Sequence, residues 1–512
     1  MTKKRLLFFA DQPWQIEFAC KVITKLENEF SHIECLLVVS DFYCVVHEKG
    51  YLEDLRNKHD FDILDFFEIF KKWQIEACTH HHYGLISRPD WTKKYESDRS
   101  LEQVERSNQL IYGFEREFYF LKMLECCKEM IFSDLSLAVD KIIEETNPVA
   151  IISIERQTLP VNLAQVVSDY RKIPWFSILP TRLGSRWYVS DEFGLGMSES
   201  KFQSIRAYKS LQETRDSVEE FVKGIKEKFV GSYITWIGRE YFQSSDYPNL
   251  VTVKKSKMGQ ISRWLLTFVK QLISRFYFHP KVMTIQPVIL DYSRFRLTIF
   301  EIRSLLTRIR HLVFPRRLFY KDAPHKKYIF WALHVRPEGS SNVLSLGLDE
   351  IEVLKKFAAA MPDNLILVVK ENPIMFGQRS LGFYKSLSEI PNVYLVDPFI
   401  SSVEFISKSI GVAGISGTAL LEAEIVGKPA ICFGRPEFEK FLGFNGWADL
   451  NSFLIAALDG SYIPSKDLRV YLEYLFEESD AEDVPEFGNL DSPEADKMIT
   501  RISVKLNQYL NR

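Results

Sequence analysis

Short hydrophobic runs and helical segments alternate regularly between residues 328 and 434, and this alternation limits the chain to few folds. The runs are "YIFWALHV", "NLILVVKENP", "VYLVDP", "GVAGISG" and "PAICFG", and segments with helical spacing, such as "DEIEVLKKFAAAM" and "TALLEAEIVG", separate them. Apolar runs of this length that end in polar loops are typical of buried strands. The pattern predicts five strands and four helices in a doubly wound parallel sheet.

A second alternation near the N-terminus predicts another sheet of the same kind. The segments "RLLFFAD", "HIECLLVVSD", "PVAIISIE" and "PWFSILP" have strand character, and "QIEFACKVITKLENEF" and "LPVNLAQVVSDYRK" have helical spacing. Parallel strands need crossover connections, so this unit should be built from βαβ motifs. Residues 50–145 are rich in charged and aromatic side chains and are predicted to be mainly helical.

The length of 512 residues exceeds what one hydrophobic core usually supports, so several domains are expected. We predict an α/β protein with two Rossmann-like parallel-sheet domains that face each other across a cleft. The first domain is expected at residues 1–195 and the second at 326–480, with a basic helical connection at 196–325. An acidic linker and a final helix at 481–512 complete the prediction, and this helix could pack on either domain.

The connection carries a strong local excess of positive charge. Between Lys254 and Lys321 there are fifteen Lys and Arg residues against only Asp291 and Glu301, with apolar residues interleaved, as in "ISRWLLTFVKQLISRFYF". Basic amphipathic helices of this kind can lie on an anionic lipid surface. A solvated basic face on an interdomain helical hairpin explains the same pattern, and the sequence leaves both interpretations open.

Composition excludes several classes of protein. A formal net charge of −3 argues against a general nucleic-acid binder. The first apolar run is too short for a signal sequence, and no window is apolar over the roughly 18 residues needed to cross a bilayer. The chain has seven cysteines and no C-x-x-C pair, which suits a reducing compartment. These features predict a cytoplasmic protein.

Parallel α/β sheets bind ligands beyond the carboxyl ends of their strands, and the polar motifs of this chain lie there. The motif "GISGTALLEAEIVGKP" places Gly417 between the hydroxyls of Ser416 and Thr418 at a predicted helix start, where N–H groups favour a phosphate. Glu422, about one turn into that helix, could accept hydrogen bonds from a ribose. Helix capping and close helix–strand packing explain the same residues without a ligand.

The motifs "HVRPEGSS" and "VVKENP" follow the first two strands of the C-terminal unit. Glu338 is a candidate for chemistry, because a carboxylate can act as a base, a nucleophile or a stabiliser of an oxocarbenium ion. His334 could donate to a phosphate or transfer a proton. Lys370 offers a compact positive charge, and Glu371 a second carboxylate. The alternatives are a surface turn, a core histidine and an ordinary charged strand end.

Three further candidates follow strands of the N-terminal unit. Glu155 comes after "IISI", and Arg182 and Arg186 lie in "PTRLGSRW" after the next strand, where guanidinium groups suit an anionic sugar or phosphate. Helix capping is the alternative for the glutamate, and surface ion pairing for the arginines. The triplet "HHH" at 80–82 has no companions at ligand spacing, so we expect no metal site. No cofactor is expected besides the substrate.

The run from Ala332 to Gly434 resembles the capsule and surface polysaccharide biosynthesis proteins. These are GT-B glycosyltransferases related to the bacterial retaining β-Kdo transferases, which use CMP-Kdo. The resemblance rests on "ALHVRPEGSS", "LVVKENP", "IPNVYLVDP" and "GISGTALLEAEIVGKPAICFG", in the family's order, and "PTRLGSRWYVSD" matches more loosely. It implies a GT-B fold with Glu338 as the covalent nucleophile. It also implies a nucleotide site at Ser416, Gly417, Thr418 and Glu422.

Two other positions are interpreted through this resemblance. The relatives carry a "KEHP"-like block whose histidine contacts the donor, and here the block contains Asn372 in place of that histidine. An amide can hydrogen-bond but carries neither a mobile proton nor a positive charge at neutral pH. Glu155 matches a further functional carboxylate of the relatives through a loose alignment.

The sequence therefore predicts a retaining glycosyltransferase that transfers Kdo or a related acidic sugar from a CMP donor. The expected acceptor is a surface polysaccharide or a lipid-linked glycan at the inner face of the membrane. The expected partners are this donor, this acceptor and an anionic membrane surface, with no nucleic acid. Two alternatives remain: a nucleotide-sugar epimerase of the same two-domain build, and a catalytically degenerate subunit of a polysaccharide assembly complex.

Overall fold

A computed structural model gives the architecture of the chain. It describes residues 3–66, 125–228, 325–479 and 490–511, apart from short gaps at 12, 41–49, 156–158, 182, 184–185, 192–196, 336–343, 346–347, 373–374, 376–378, 380, 399 and 401. Isolated positions are described as well, at 69, 262, 265, 266, 268, 269, 302, 305, 306, 309, 319 and 320.

The N-terminal sheet has six strands in the described ranges. These strands are β1 (Lys4–Ala10), β2 (Ile33–Val39), β3 (Asp62–Asp65), β4 (Ala150–Ile154), β5 (Trp175–Pro180) and β6 (Trp187–Ser190). The helices are α1 (Pro13–Glu29), α2 (Tyr51–Lys58), α3 (Glu125–Thr146) and α4 (Leu159–Arg171). Strands β1–β5 are parallel, and β6 pairs antiparallel with β5. Since β4 and β5 are buried on both faces, their sequences are nearly continuous apolar runs, each with a single serine, and do not alternate with polar residues.

Two helices lead out of this sheet, and a second six-stranded sheet follows. The two helices are α5 (Glu199–Arg206) and α6 (Gln212–Lys228). The second sheet contains β7 (Tyr328–Ala332), β8 (Ile366–Lys370), β9 (Val393–Val396), β10 (Gly411–Gly414), β11 (Ala430–Cys432) and β12 (Phe444–Asn445), and its described pairings are all parallel. Its helices are α7 (Glu350–Ala360), α8 (Leu381–Ser388), α9 (Ser402–Lys408), α10 (Thr418–Ile425), α11 (Leu450–Asp459) and α12 (Lys466–Glu478). Short 3-10 turns span Glu439–Phe441 and Trp447–Asp449, and α13 (Pro493–Leu510) ends the described chain.

Both sheets have the same strand order, although β6 is antiparallel in the first sheet and its counterpart β12 is parallel in the second. The strand order is β3-β2-β1-β4-β5-β6 in the first and β12-β11-β10-β7-β8-β9 in the second, which is the same order counted from β7. In the first sheet the strand order changes direction where β1 and β4 are neighbours, and in the second sheet where β7 and β10 are neighbours. Ligands of doubly wound sheets bind at such switch points. The predicted α/β class with two Rossmann-like sheets is confirmed.

The helices outside the two sheets connect the parts of the molecule. The last helix packs on the first sheet: Met498, Ile502 and Leu506 belong to the buried cluster that surrounds β1 and β2. Helices α5, α6 and α12 join a different cluster, which contains Leu179 and Tyr188 from the first sheet together with strands of the second. The final helix therefore folds back on the N-terminal domain, which the sequence left open.

Some elements were not predicted. Strand β3 falls inside the region that was expected to be mainly helical, and β6 and β12 are short edge strands of four and two residues. Helices α11 and α12 were not assigned either. Within the described ranges, no helix is both long and apolar enough to cross a membrane.

Candidate functional site

The loops that follow β7 and β10 meet at the switch point of the second sheet. His334 lies two residues beyond β7, and Ser416 lies two residues beyond β10. The backbone N–H of Ser416 donates to Nε2 of His334 at 3.2 Å, and the Ser416 hydroxyl lies 3.2 Å from the same nitrogen. The predicted approach of the "HVRPEGSS" and "GISGT" loops is therefore present at these two residues.

The hydrogen bonds of His334 define its tautomer. Since Nε2 accepts the Ser416 N–H, the ring proton lies on Nδ1, which donates to Oε1 of Glu350 at 3.0 Å. The same carboxylate oxygen also accepts the backbone N–H of His334 at 3.0 Å. Glu350 is the first residue of α7 and is 1% exposed. It fixes both the ring and the backbone of His334 at the strand end.

Arg379 connects two buried carboxylates beneath these loops. Its guanidinium lies 3.3 Å from Oε2 of Glu350 and 2.8 Å from Oε2 of Glu371, and it also donates to the carbonyl of His334. Glu371 accepts the Tyr384 hydroxyl at 2.9 Å and the Asn372 N–H at 2.8 Å. Burial raises the pKa of Glu371, and the nearby Arg379 counteracts this. Because both oxygens of Glu371 already have hydrogen-bond or ion-pair partners, this residue stabilises the loops around the site.

Lys370 is a buried cation at the end of β8. Its side chain is 5% exposed, and its Nζ donates to the Glu371 carbonyl at 3.4 Å, the long end of the hydrogen-bonding range. Burial lowers the pKa of Lys370 to about 8, and the carboxylates of Glu371 and Asp397 act in the opposite direction. An anionic group that reached Lys370 would stabilise its protonated form.

The start of α10 lies beside His334. Gly417 is the N-cap of the helix, and no side chain caps it. The first N–H groups of a helix lack intrahelical partners and favour an anion. A Cβ on Gly417 would lie 3.6 Å from Nε2 of His334, and one on Gly414 would lie 3.7 Å from Leu420, so neither position requires glycine for its packing. Thr418 begins the helix and is partly exposed.

Glu422 lies in the second turn of α10 and is 3% exposed. In the described part of the chain, its Oε1 has no hydrogen-bond partner. Burial raises the pKa of Glu422 to about 8, so the carboxyl group is mostly protonated at neutral pH. A protonated carboxyl can donate one hydrogen bond and accept another, which fits a ligand hydroxyl better than a cation.

A similar arrangement exists at the switch point of the first sheet. Asp11 follows β1 and Glu155 follows β4, and Gln15 lies between them. The Asp11 N–H donates to Oε1 of Gln15 at 3.1 Å, and Nε2 of Gln15 donates to Oε2 of Glu155 at 3.2 Å. Glu155 has a φ of 58°, which is uncommon for a residue with a side chain. Strained backbone of this kind is found preferentially at functional sites.

The other predicted residues are placed as follows. Arg186 stacks on Phe476 of α12, with the guanidinium carbon 4.0 Å from the ring centroid, so it lies where α12 meets the first sheet. Glu338, Arg182 and the histidines at 80–82 lie outside the described residues. Asn372 follows Glu371 and is partly exposed.

Sequence reasoning missed the residues that support the site. Glu350, Arg379 and Tyr384 received no role because they lie inside or beside predicted helices, away from the strand ends. Glu350 follows the helix N-cap Asp349, a position at which an acidic residue is favourable without any ligand. Only the fold shows that its side chain turns inward to His334.

No known protein family matches this sequence, and no curated protein matches it either. Solved structures that the fold is similar to include the β-Kdo 2,4 transferase of Thermosulfurimonas dismutans KpsC, with 12% identity, a TM-score of 0.34, and coverage of 64% of this chain and 79% of that one. The calicheamicin glycosyltransferase CalG4 is 10% identical with a TM-score of 0.29, covering 100% and 99%. A putative UDP-N-acetylglucosamine 2-epimerase from Listeria monocytogenes is 12% identical with a TM-score of 0.27, covering 94% and 99%. These likenesses are too weak to carry an argument about activity, so the fold assignment rests on the topology of the two sheets.

Proposed function

We propose that this protein is a glycosyltransferase of the GT-B type that transfers a sugar from a nucleotide donor to a surface polysaccharide or lipid-linked glycan. The donor would bind at the switch point of the second sheet and the acceptor at that of the first. The observation that carries the proposal is the convergence of His334, Ser416 and the uncapped start of α10 on one strand edge, where the neighbouring strand β8 ends at buried Lys370. This edge combines a helix start that favours anions with a buried cation. Both features suit the phosphate groups of a nucleoside monophosphate or diphosphate sugar.

The proposed reaction retains the configuration of the transferred sugar. A carboxylate oxygen of Glu338 bonds to the anomeric carbon, while the bond from that carbon to the donor phosphate breaks and the nucleotide leaves with the electron pair. The acceptor hydroxyl then attacks the same carbon, displaces Glu338 and releases its proton. Glu155, at the switch point of the first sheet, is the proposed acceptor of that proton. Lys370 and the α10 start stabilise the charge of the leaving phosphate.

Donor affinity should depend on pH through Lys370. Below pH 8 the amine is protonated and attracts the donor phosphate, and above pH 8 it loses its proton because burial lowers its pKa to about 8. We expect the donor Kd to rise roughly tenfold per pH unit at most above this value. The Lys370→Met variant should bind the donor weakly at all pH values, and its donor Kd should not show this rise above pH 8. Calorimetric titrations of the wild type and the variant between pH 6.5 and 9.5 measure the two Kd profiles.

The function is tested first with purified protein and CMP-, UDP- and GDP-sugars. We expect one nucleotide class to bind, with CMP-Kdo or another acidic CMP-sugar as the leading candidate. The nucleotide sugar that binds in this screen is then incubated alone and with glycan or glycolipid acceptors, and the products are identified by mass spectrometry. Transfer to an acceptor supports the proposal. Conversion of the donor alone to an epimer would instead identify a nucleotide-sugar epimerase.

A catalytically degenerate subunit is the second candidate, and Asn372 favours it. This position carries an amide where the resembled family has a donor-contacting histidine. A degenerate subunit would bind the donor without turnover. It would also support glycan production in cells equally well when Glu338 is replaced by Gln, whereas a glycosyltransferase with Glu338 as nucleophile would lose that activity.

A further inference from the structure

We propose that Gln15 is a positioning residue for the acceptor half of the reaction, because its side chain orients the carboxylate of Glu155. The inference rests on the proposed function, in which Glu155 takes the proton of the acceptor hydroxyl. It assigns a role to a buried amide that lies in the first turn of α1, at the switch point of the first sheet.

Two hydrogen bonds determine which end of the Gln15 amide faces Glu155. The backbone N–H of Asp11 donates to Oε1 of Gln15 at 3.1 Å, so the carbonyl oxygen of the amide must lie on this side. Its Nε2 therefore faces the other way and donates to Oε2 of Glu155 at 3.2 Å. A reversed amide would place its NH2 group against the Asp11 N–H. The two contacts together allow one orientation of the amide.

Gln15 joins the ends of two neighbouring strands away from water. Asp11 follows β1 and Glu155 follows β4, and these strands pair in parallel. Gln15, Asp11 and Glu155 are 0%, 2% and 5% exposed. In such surroundings water competes little for a hydrogen bond. The Gln15 amide therefore fixes the direction of the Glu155 carboxylate.

The backbone of Glu155 is also held in a conformation that side chains seldom adopt. Its φ of 58° lies in the left-handed region, and its N–H donates to the carbonyl of Ile178 in β5 at 3.0 Å. A residue with a side chain stays in this region only where the surrounding contacts determine it. Ile178 provides one such contact at the backbone, and Gln15 provides one at the carboxylate.

Gln15 has a counterpart at the switch point of the second sheet. Glu350 begins α7, the helix that follows β7, and Gln15 lies near the start of α1, the helix that follows β1. Each accepts the backbone N–H of the loop after that strand, from His334 and Asp11 respectively. Each also contacts a side chain proposed for chemistry, the His334 ring or the Glu155 carboxylate. Both switch points thus hold such a group through the following helix.

The chemistry of the acceptor step explains why a neutral amide suits this position. The acceptor oxygen bonds to the anomeric carbon, the bond from that carbon to the enzyme breaks, and the hydroxyl proton passes to Glu155. A cation beside the carboxylate would stabilise its ionised form and weaken it as a base. The uncharged amide of Gln15 orients Glu155 at a smaller cost in basicity. Loss of this orientation should slow proton transfer from the acceptor and leave nucleotide release intact.

The test measures the two halves of the reaction separately, with the nucleotide sugar that binds in the screen. Nucleotide release is followed in single turnovers without acceptor, and sugar transfer is followed after acceptor is added. Gln15→Leu should release nucleotide within about twofold of the wild-type rate and transfer sugar at least about tenfold more slowly. Transfer at the wild-type rate, or equal slowing of both halves, would overturn the inference. A wild-type protein that neither releases nucleotide nor transfers sugar would overturn the proposed function itself.

A nearly isosteric variant tests the same contact without removing a polar group. Gln15→Glu keeps an oxygen for the Asp11 N–H but places a second carboxylate against Glu155. Two carboxylates this close share a proton, which leaves Glu155 a weaker base. We expect transfer to slow at least about tenfold and nucleotide release to stay within about twofold of the wild type. Transfer by this variant at the wild-type rate would contradict the role of Gln15.

The control replaces another buried glutamine of the same domain. Gln165 is 6% exposed, and its Nε2 donates to Asp169 within α4. Gln165→Leu should leave both halves of the reaction unchanged, because this contact does not involve Glu155. Circular dichroism verifies that the three variants are folded. A selective loss of transfer in Gln165→Leu equal to that in Gln15→Leu would show that the effect is not specific to Gln15.

Discussion

Replacing Arg379 with Met is expected to destabilise the protein by about 3–5 kcal/mol, because it removes a guanidinium that pairs with two buried carboxylates. Glu350 and Glu371 have side chains that are 1% and 0% exposed, and the Arg379 side chain itself is 6% exposed. Without the guanidinium, two carboxylates would lie buried without this positive charge, and their remaining hydrogen bonds would not compensate for it. Urea unfolding monitored by circular dichroism measures the loss in the free energy of unfolding.

The pH dependence of this loss tests its cause. The carboxylates become neutral more readily when Arg379 is absent, so the difference between wild type and Arg379→Met should be larger at pH 8 than at pH 5. The control is Lys355→Met, which removes an exposed ion pair of Lys355 with Glu352, 50% and 69% exposed. That change should cost no more than about 1 kcal/mol. An Arg379→Met variant as stable as this control would show that the buried network contributes little.

Replacing Gly434 with Ala is expected to have the second largest effect, a loss of about 1–3 kcal/mol. A Cβ at this position would lie 2.4 Å from the Leu344 carbonyl oxygen and 2.6 Å from that of Ile415, so the backbone must move. The Gly434 N–H also donates to the Ile415 carbonyl at 2.7 Å, and movement would weaken this bond. Because Ile415 precedes Ser416, we expect the variant to bind the donor more weakly as well.

Gly414→Ala is the matched control for this prediction. Its added Cβ would lie 3.7 Å from the nearest atoms, all in the Leu420 side chain, which is ordinary contact. This variant should unfold within about 1 kcal/mol of the wild type. Similar urea midpoints for Gly434→Ala and Gly414→Ala would mean that the loops around Gly434 relax without loss.

The central strands of both sheets could be predicted because their burial on both faces produces continuous apolar runs. β4 and β5 are fully buried and were assigned within one or two residues, as was β8. The edge strands β3 and β12 do not have this signal. β3 has the sequence "DILD" with an exposed first residue, and β12 has two partly buried residues, so neither differs enough from a loop. Their strand character comes from pairing with neighbours that are distant in sequence.

The candidate site was predicted in part for a similar reason. Residues that follow a buried strand must emerge at the sheet edge, and this geometry placed His334, Lys370 and Ser416 together. The residues that support them do not follow strands. Arg379 reaches His334 from 45 positions away in the chain, and no local pattern indicates this contact. The glycines of "GISG" have room for a Cβ, whereas a Cβ at Gly434 would lie 2.4 and 2.6 Å from two backbone oxygens. No local sequence pattern distinguishes these two cases.

The proposed function requires that a nucleotide sugar binds where the loop after β7 meets the start of α10. Hydrogen–deuterium exchange with and without the nucleotide sugar that binds in the screen measures this contact. Donor binding is expected to slow exchange at backbone amides of residues 333–335 and 416–421, and to leave those of α13 unchanged. Slowed exchange confined to other parts of the chain, or no binding of any nucleotide sugar, would contradict the proposed function.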